Sequence, residues 1–302
     1  DPDGKSAERD LQSIKAIDHN KASIVAQYGT IFAGKKFEVV DNYDWFKDIG
    51  YVEFLRDIGK HIPLRQMLGR DFVQSRIGES GNGISYAEFS YSLMQAYDFL
   101  HLHKKKNVSL QLCGSDQWGN SIAGVDLIRR VTGDETHVWS TPLVINKSTG
   151  IKFGKSEQGA VWLDPAKTSP TQFYQFWINC DDAGVEDYLK IYTLMDKNSI
   201  DETIAEHKNN PGQRYAQEVL ANAVTAIVHG NENAGLAKEM TDILTGRTQL
   251  EMANERALEA LRNEVPSIKV NKRADLVDIL SQSNLATSKT EARRLISNNA
   301  IS

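Results

Sequence analysis

The stretch from residue 108 to 131, "VSLQLCGSDQWGNSIAGVDLIRRV", constrains the fold more than any other part of the chain. It reads as an apolar strand, a Gly-Ser-Asp-Gln turn and a helix, which is the repeating unit of α/β proteins. Two further strand-like runs, "FEVV" and "TPLVI", alternate with helical stretches over the first 145 residues. This alternation predicts an α/β fold with a mostly parallel sheet.

The pattern changes along the chain and predicts several domains. Apolar residues recur at i, i+3 and i+4 from residue 169 to about 246, where Gly230 supplies a helix-ending signal. A polar helix is expected around 250–263, and Pro266 marks a linker. We predict five segments: an α/β domain over 1–145, a connection over 146–168, a helical domain over 169–246, a linker over 247–265 and a small α+β module over 266–302.

Charge is distributed unevenly between the body and the tail. The 302 residues carry a net charge of −5, which argues against a surface that coats nucleic acid throughout. Residues 262–302 nevertheless hold seven Lys and Arg against four acidic residues. Ser288 and Glu291 predict a capping box, so Arg293 and Arg294 are expected on a helix. The tail is either an RNA-facing module or an ordinary solvated helix with scattered basic residues.

Cysteines and apolar runs exclude other classes of protein. Cys113 and Cys180 stand apart from any Cys-x-x-Cys pair or Cys/His cluster, so we expect neither a disulfide scaffold nor a zinc site. No apolar run approaches the length of about 18 residues that a membrane-spanning helix needs. A reducing cytoplasm fits this composition best.

A polar stripe follows one face of a predicted helix in "GISYAEFSYSLMQAYDFLHL". Ser85 and Glu88 form a capping-box pattern, and Tyr91, Gln95 and Asp98 then fall at i, i+4 and i+7. Buried polar groups left unpaired cost about 1–3 kcal/mol each, so the stripe must find partners. Those partners belong either to a ligand or to a hydrogen-bond network in the core.

The turn at 114–117 is a second candidate site. Ligands of parallel α/β proteins collect at the carboxyl ends of strands, and Gly114 lets a ligand approach the backbone there. Asp116 can accept hydrogen bonds from a ribose diol, and Gln117 can both donate and accept. The alternative is a simple helix cap formed by Ser115 or Asp116.

A glycine- and lysine-rich loop, "INKSTGIKFGKSEQGAVWLDP", is the third candidate. Its Gly154-Lys155-Ser156 is out of register for a phosphate-binding P-loop, because the further Gly stands at 150 and not at 149. Mobile lysines at Lys147, Lys152 and Lys155 suit a triphosphate whose charge is redistributed during reaction. A solvated surface loop is the alternative.

Taken together, "YSLMQAYD", "GSDQWGN" and "KFGKS" followed by "WLDP" resemble the tyrosyl-tRNA synthetases of bacterial or organellar type, over the whole chain. The resemblance implies a Rossmann-like catalytic domain, an all-helical tRNA-binding domain and a small α+β RNA-binding module. It implies a ligase that activates L-tyrosine with ATP and Mg²⁺ and transfers the tyrosyl group to tRNA(Tyr). It also implies a cytoplasmic homodimer, or a mitochondrial one for an organellar enzyme, with residues 54–68 as our candidate contact segment.

The resemblance also implies roles for individual residues. Asp98 would accept the phenol hydrogen bond of tyrosine, and Tyr91, Gln95 and Asp1 would hold its ammonium group. Gln111 and Gln117 would orient the carboxylate. The ATP ribose would contact Gly114 and Asp116, and the pyrophosphate would contact Lys152, Lys155, Ser156, Lys5 and Arg9. The tRNA phosphates would contact Lys272, Arg273, Arg293 and Arg294.

The chain departs from the family pattern at both ends. The first signature, His-Ile-Gly-His or a variant, does not occur in it, and "KHIPL" at 60–64 lacks the second histidine. We therefore expect the catalytic domain to be incomplete at its N-terminus, the tail module to be truncated, and residues 1–302 alone to form no adenylate. Two alternatives stay open: a tryptophanyl-tRNA synthetase relative, and a non-catalytic RNA-binding relative of the synthetases.

Overall fold

The computed structural model describes residues 12–69, 71–77, 83–147, 150, 161–265, 267–271, 273–298 and 300–301. The chain divides into two compact units, the first of residues 1–145 and 150–153 and the second of residues 146–149 and 154–302. The first unit holds the helices and strands α1 Ile14–Ile31, α2 Tyr43–Phe46, α3 Tyr51–Asp57, α4 Leu64–Leu68, α5 Asp71–Ile77, α6 Tyr86–Lys106, β1 Leu110–Gly114, α7 Trp118–Thr132 and β2 His137–Thr141.

The second unit is helical in the part of the chain that the structure describes. Its helices are α8 Pro170–Ile178, α9 Val185–Tyr192, α10 Lys197–Asn209, α11 Tyr215–His229, α12 Asn231–Leu244, α13 Glu255–Glu264, α14 Leu276–Gln282 and α15 Lys289–Ser297. Gly230 ends α11 with a φ of 86°, as the sequence predicts. The polar helix expected around 250–263 begins only at Glu255, because the side chain of Asn254 caps it by accepting from the amide of Ala257.

Strands β1 and β2 pair in parallel, with Leu110 opposite His137 and Gly114 opposite Thr141. Helix α7 connects them, so the predicted strand, turn and helix form a β–α–β unit. The strand predicted from "TPLVI" is wrong in position: β2 ends at Thr141, because Pro142 has no amide hydrogen to continue the ladder. The strand predicted from "FEVV" is also wrong, since residues 37–40 form no strand and the sheet within the described residues comprises β1 and β2.

Packing between α6 and α7 forms the core of the first unit. Phe99 and Leu100 on α6 meet Leu127 and Ile128 on α7, and all four are buried. Gly124 lets the two helices approach closely, because a Cβ atom there would lie 3.0 Å from the Phe99 ring. Burial of each large apolar side chain stabilises the fold by roughly 1.5–3 kcal/mol, so this contact fixes where α6 presents its other face.

The core of the second unit is aromatic. Tyr174, Trp177 and Tyr188 from α8 and α9 are buried against α11 and α12, where Leu220 and Met240 are also buried. A smaller cluster of Leu280, Ala286 and Ala292 joins α14 to α15. Strands are absent from the described residues beyond 265, so this segment contributes only its two helices to the architecture shown.

Candidate active site

Helix α6 carries the predicted stripe, and the structure shows why the helix starts where it does. Ser85 accepts from the amide of Glu88, and the Glu88 carboxylate accepts from the amide of Ser85, which confirms the predicted capping box. The helix ends at Lys106, and its C-cap residue Asn107 has a left-handed φ of 55°. Tyr91, Gln95 and Asp98 are partly buried along one face, while Leu93 and Leu100 are buried.

Asp98 is the most strongly held member of the stripe. Trp45 donates its indole N–H to Oδ1 of Asp98 over 2.9 Å, and the side-chain amide of Asn42 donates to Oδ2 over 3.3 Å. Burial raises the pKa of the Asp98 carboxyl, and the hydrogen bonds from Trp45 and Asn42 act in the opposite direction. A carboxylate has about four acceptor positions, so two donors leave room for a third.

Asn42 and Trp45 are the residues that reasoning from the sequence missed. They belong to α2 and its N-cap, and lie 56 and 53 residues before Asp98 in the chain. The short stretch "DNYDWF" holds the available signal, a tryptophan and an amide in a polar turn that has no apolar periodicity of its own. Only the fold shows that both side chains point at one carboxylate.

The turn after β1 brings the second set of predicted residues together. Residues Ser115–Gln117 form one 3-10 turn that runs directly into α7. A Cβ atom on Gly114 would lie 2.8 Å from Oδ1 of Asp116, so glycine is needed for this carboxylate to lie against the backbone. Gln117 occupies the N-cap position of α7, but its side chain makes no capping hydrogen bond to the helix backbone. Its Oε1 instead accepts from the side-chain amide of Asn120 over 3.1 Å. Neither Ser115 nor Asp116 is therefore the N-cap residue of α7.

Gln111 on β1, three residues before Gly114, carries an unused acceptor. Its Oε1 atom is buried and has no hydrogen-bond partner among the residues that the structure describes. Buried acceptors are rarely left unpaired in folded proteins, because each loses its bond to water without replacement. A ligand that donates a hydrogen bond at this position would satisfy it.

Two family models match the chain. One, described as tRNA synthetases class I (W and Y), matches residues 1–245, and the other, described as the tyrosine-tRNA ligase SYY-like C-terminal domain, matches residues 257–302. A tyrosine-tRNA ligase of Bacteroides fragilis is 41% identical over 317 residues, covering 100% of this chain and 74% of the relative.

The chain belongs to the tyrosine-tRNA ligases, which are class I aminoacyl-tRNA synthetases.

Other relatives of this tyrosine-tRNA ligase agree with the assignment. The Anaeromyxobacter dehalogenans tyrosine-tRNA ligase is 45% identical over 301 residues, covering 97% of this chain and 71% of the relative. The crystal structure of a C-terminally truncated Aspergillus nidulans mitochondrial tyrosyl-tRNA synthetase matches with a TM-score of 0.70 and 30% identity, over 81% of this chain and 72% of that one. These matches favour tyrosine over the tryptophanyl alternative, and an enzyme over a non-catalytic relative.

Several residues predicted for the ligase site lie outside the described part of the chain. They are Asp1, Lys5, Arg9, Lys152, Lys155 and Ser156, together with Lys272 of the tail.

The basic residues of the tail that the structure does describe are all exposed. Arg293 and Arg294 lie on α15, and Arg273 precedes α14. The predicted capping box of α15 is only half formed: Ser288 accepts from the Glu291 amide over 3.2 Å, but the Glu291 carboxylate accepts from Thr287 instead of from Ser288. The amide of Thr287 lies one residue earlier and within reach of this carboxylate, so it takes the place of the reciprocal bond.

The described residues contain neither a cluster of metal-binding side chains nor a helix that could span a membrane. Three or more His, Cys, Asp or Glu side chains nowhere gather there into a group suited to a metal ion. The helices described are too short or too polar to cross a bilayer.

Proposed function

We propose that this tyrosine-tRNA ligase recognises tyrosine along α6, with Asp98 accepting the hydrogen bond of the substrate phenol. The observation that carries this proposal is the partly buried Asp98 carboxylate, which Trp45 and Asn42 hold from one side with two hydrogen bonds. A carboxylate held in a fixed orientation selects an O–H donor by the direction of the hydrogen bond as well as by charge.

The other stripe residues complete the amino-acid pocket in this proposal. Gln95 and Tyr91 lie about one and two helical turns before Asp98 on the same face of α6. They hold the ammonium group together with Asp1. Gln111 and Gln117 orient the tyrosine carboxylate in this proposal through their side-chain N–H groups, because an ionised carboxylate can only accept hydrogen bonds. The buried Oε1 of Gln111 requires a donor and does not contact the carboxylate.

The chemistry that follows needs no protein nucleophile. A carboxylate oxygen of tyrosine attacks the α-phosphorus of ATP, the bond to the bridging oxygen breaks, and pyrophosphate leaves with tyrosyl-adenylate remaining. A terminal ribose hydroxyl of tRNA then attacks the tyrosyl carbonyl, and AMP leaves. The protein contributes positioning and charge stabilisation.

Gly114 and Asp116 are assigned to the ATP ribose. The close approach of the Asp116 carboxylate to the Gly114 backbone supports a compact diol-binding turn at the carboxyl end of β1. Lys152, Lys155, Ser156, Lys5 and Arg9 remain predictions for the pyrophosphate. The Mg²⁺ ion expected with ATP belongs to the substrate, bound through its phosphate oxygens.

Pyrophosphate exchange in the full-length enzyme tests this proposal. Asp98→Asn keeps the shape of the side chain but removes its charge, and we expect kcat/KM for tyrosine to fall about 10- to 100-fold because a charge-assisted hydrogen bond is lost. A site built around the phenol rejects an analogue without it, an effect for which tyrosyl-tRNA synthetases are themselves the known example, so the tyrosine-to-phenylalanine ratio falls too. Asp44→Asn, on the exposed face of α2, is the matched control. An unchanged ratio in Asp98→Asn excludes the assigned role.

We further propose a tRNA(Tyr)-binding tail, a homodimer and a cytoplasmic location. The exposed Arg273, Arg293 and Arg294 support tRNA binding by the tail.

The dimer proposal rests on residues 54–68, where Leu55 and Leu64 are exposed although Ile58 and Met67 are buried. Both cysteines are free thiols, as a reducing compartment requires, and the matched relatives include bacterial and mitochondrial enzymes.

A further inference from the structure

We propose that His101 is a positioning residue for tyrosine recognition, because its ring holds the Trp45 indole in the orientation that delivers the N–H to Asp98. The inference rests on the proposed role of Asp98 and extends it by one residue that touches neither the substrate nor Asp98 through a hydrogen bond. It predicts that an uncharged ring on α6 contributes to selection of the substrate hydroxyl.

The geometry joins three side chains in a row. The imidazole of His101 stacks on the indole of Trp45 with ring centroids 4.4 Å apart and planes inclined by 17°. The edge of the same indole donates to Oδ1 of Asp98 over 2.9 Å. His101 and Asp98 are three residues apart on α6, so a single helical turn holds both the face and the edge of Trp45.

Helix α2 needs such support because it is short. It comprises only Tyr43–Phe46, and its N-cap residue Asn42 makes no side-chain cap but donates to Asp98 instead. One helical turn is not stable by itself, since its nucleation cost is not repaid by further hydrogen bonds. Phe46 also anchors α2, by packing on Tyr97 and Phe54 at centroid distances of 5.5 and 6.1 Å. Tyr97 lies 6.1 Å from the His101 ring, but the contact with Phe54 does not involve His101. Loss of the His101 ring therefore loosens Trp45 without detaching α2.

The charges around His101 favour the uncharged ring. Burial lowers the pKa of His101, and the nearby Lys105 and Lys106 act in the same direction, while Asp98 opposes them. A neutral imidazole stacks on the indole without competing with the substrate for the Asp98 carboxylate. His101 therefore orients the indole of Trp45, while Asp98 accepts the hydrogen bond from the substrate.

The test compares tyrosine and phenylalanine activation by variants of the full-length enzyme. His101→Ala should lower the tyrosine-to-phenylalanine ratio of kcat/KM by about 2- to 10-fold, the range expected for loss of one aromatic pair, and leave the KM for ATP unchanged. His101→Phe should restore the ratio, because it keeps the stack. In a Trp45→Phe background, His101→Ala should have little further effect on the ratio, because the indole N–H that it orients is already absent.

Two controls separate this role from general loss of structure and from failure of the underlying assignment. His103→Ala removes another histidine of α6 that pairs with Asp134, and should leave the ratio unchanged. If Asp98→Asn lowers the ratio but His101→Ala does not, the role of His101 is refuted and that of Asp98 stands. Equal loss of activity on both amino acids in His101→Ala, or no recovery in His101→Phe, refutes it as well. If Asp98→Asn itself leaves the ratio unchanged, both proposals fail.

Discussion

Trp45 donates its indole N–H to the carboxylate of Asp98 over 2.9 Å, although 53 residues of chain separate the two. This bond connects a one-turn helix to the middle of the long α6. It fixes one carboxylate oxygen while the other accepts from Asn42, and so determines which way the carboxylate faces. Selection of tyrosine in our proposal depends on that direction.

Removing only the indole N–H should therefore impair recognition of tyrosine. Trp45→Phe keeps an aromatic ring against His101 but withdraws a hydrogen bond to a charged acceptor, worth about 1.5–3 kcal/mol. We expect the KM for tyrosine in pyrophosphate exchange to rise about 10-fold or more, with the KM for ATP unchanged. Trp139→Phe, an exposed tryptophan of the same unit, is the control. Equal KM values for tyrosine in Trp45→Phe and in the parent enzyme would contradict the role of the N–H.

The close approach of α6 and α7 predicts a large difference between two glycine substitutions. Gly124→Leu should destabilise the protein by about 1–3 kcal/mol, because even a Cβ atom there meets the Phe99 side chain at 3.0–3.1 Å. Gly235→Leu, on an exposed face of α12 with no atom within 4 Å of a Cβ, should be neutral or slightly stabilising. Thermal unfolding measures both, and similar melting temperatures for the two variants would show that α6 and α7 are not closely packed.

The pair of His103 and Asp134 predicts a pH-dependent contribution to stability. Both ring nitrogens of His103 face acceptors at 2.9 Å, Nδ1 the carbonyl of Val108 and Nε2 the Asp134 carboxylate, so only the protonated ring satisfies both. The Asp134 hydrogen bond, followed by that of Val108, raises the pKa of His103, and the same contact with His103 lowers the pKa of Asp134.

A raised histidine pKa stabilises the fold fully below the unfolded value of about 6.5, and this contribution is lost as the pH rises through the folded value. The lowered carboxyl pKa contributes above about 4 and is lost at lower pH. Asp134→Asn should therefore reduce the melting temperature most between about pH 4.5 and 6, and the difference should shrink toward pH 9. A difference that is constant from pH 5 to pH 9 would rule out the charged pair.

Charge on α15 should govern the salt dependence of tRNA binding. Arg293→Ala with Arg294→Ala should weaken binding of tRNA(Tyr) and reduce the slope of log K against log salt by about 1 to 2, because each phosphate contact releases a counterion. Pyrophosphate exchange should not change. Lys289→Ala is the matched control, since Lys289 pairs with Asp278 at 2.6 Å, whereas Arg294 lies 3.8 Å from the Glu291 carboxylate. An unaltered salt slope in the double variant would exclude these arginines from the RNA contact.

Local patterns were enough to predict much of this molecule. Ser85 and Glu88 mark the start of α6, and Gly230 ends α11, because caps depend on residues within one turn of each other. The strand β1 and the turn at Gly114 can likewise be predicted from residues that are close together in the sequence. The predicted strands at 37–40 and 141–145 were wrong, because a strand also requires a partner and a free amide hydrogen.

The family, the helical second unit and the polar stripe of Tyr91, Gln95 and Asp98 can all be predicted from motifs and helical periodicity. The surroundings of Asp98 depend on how the chain packs in three dimensions. Asn42 and Trp45 donate hydrogen bonds to that carboxylate, and His101 stacks on Trp45. Each of these contacts joins residues more than 50 positions apart, so no helical or strand periodicity predicts it. Such contacts arise when the packing of α6 against its neighbours brings distant segments together, and no pattern within either segment encodes the distance between them.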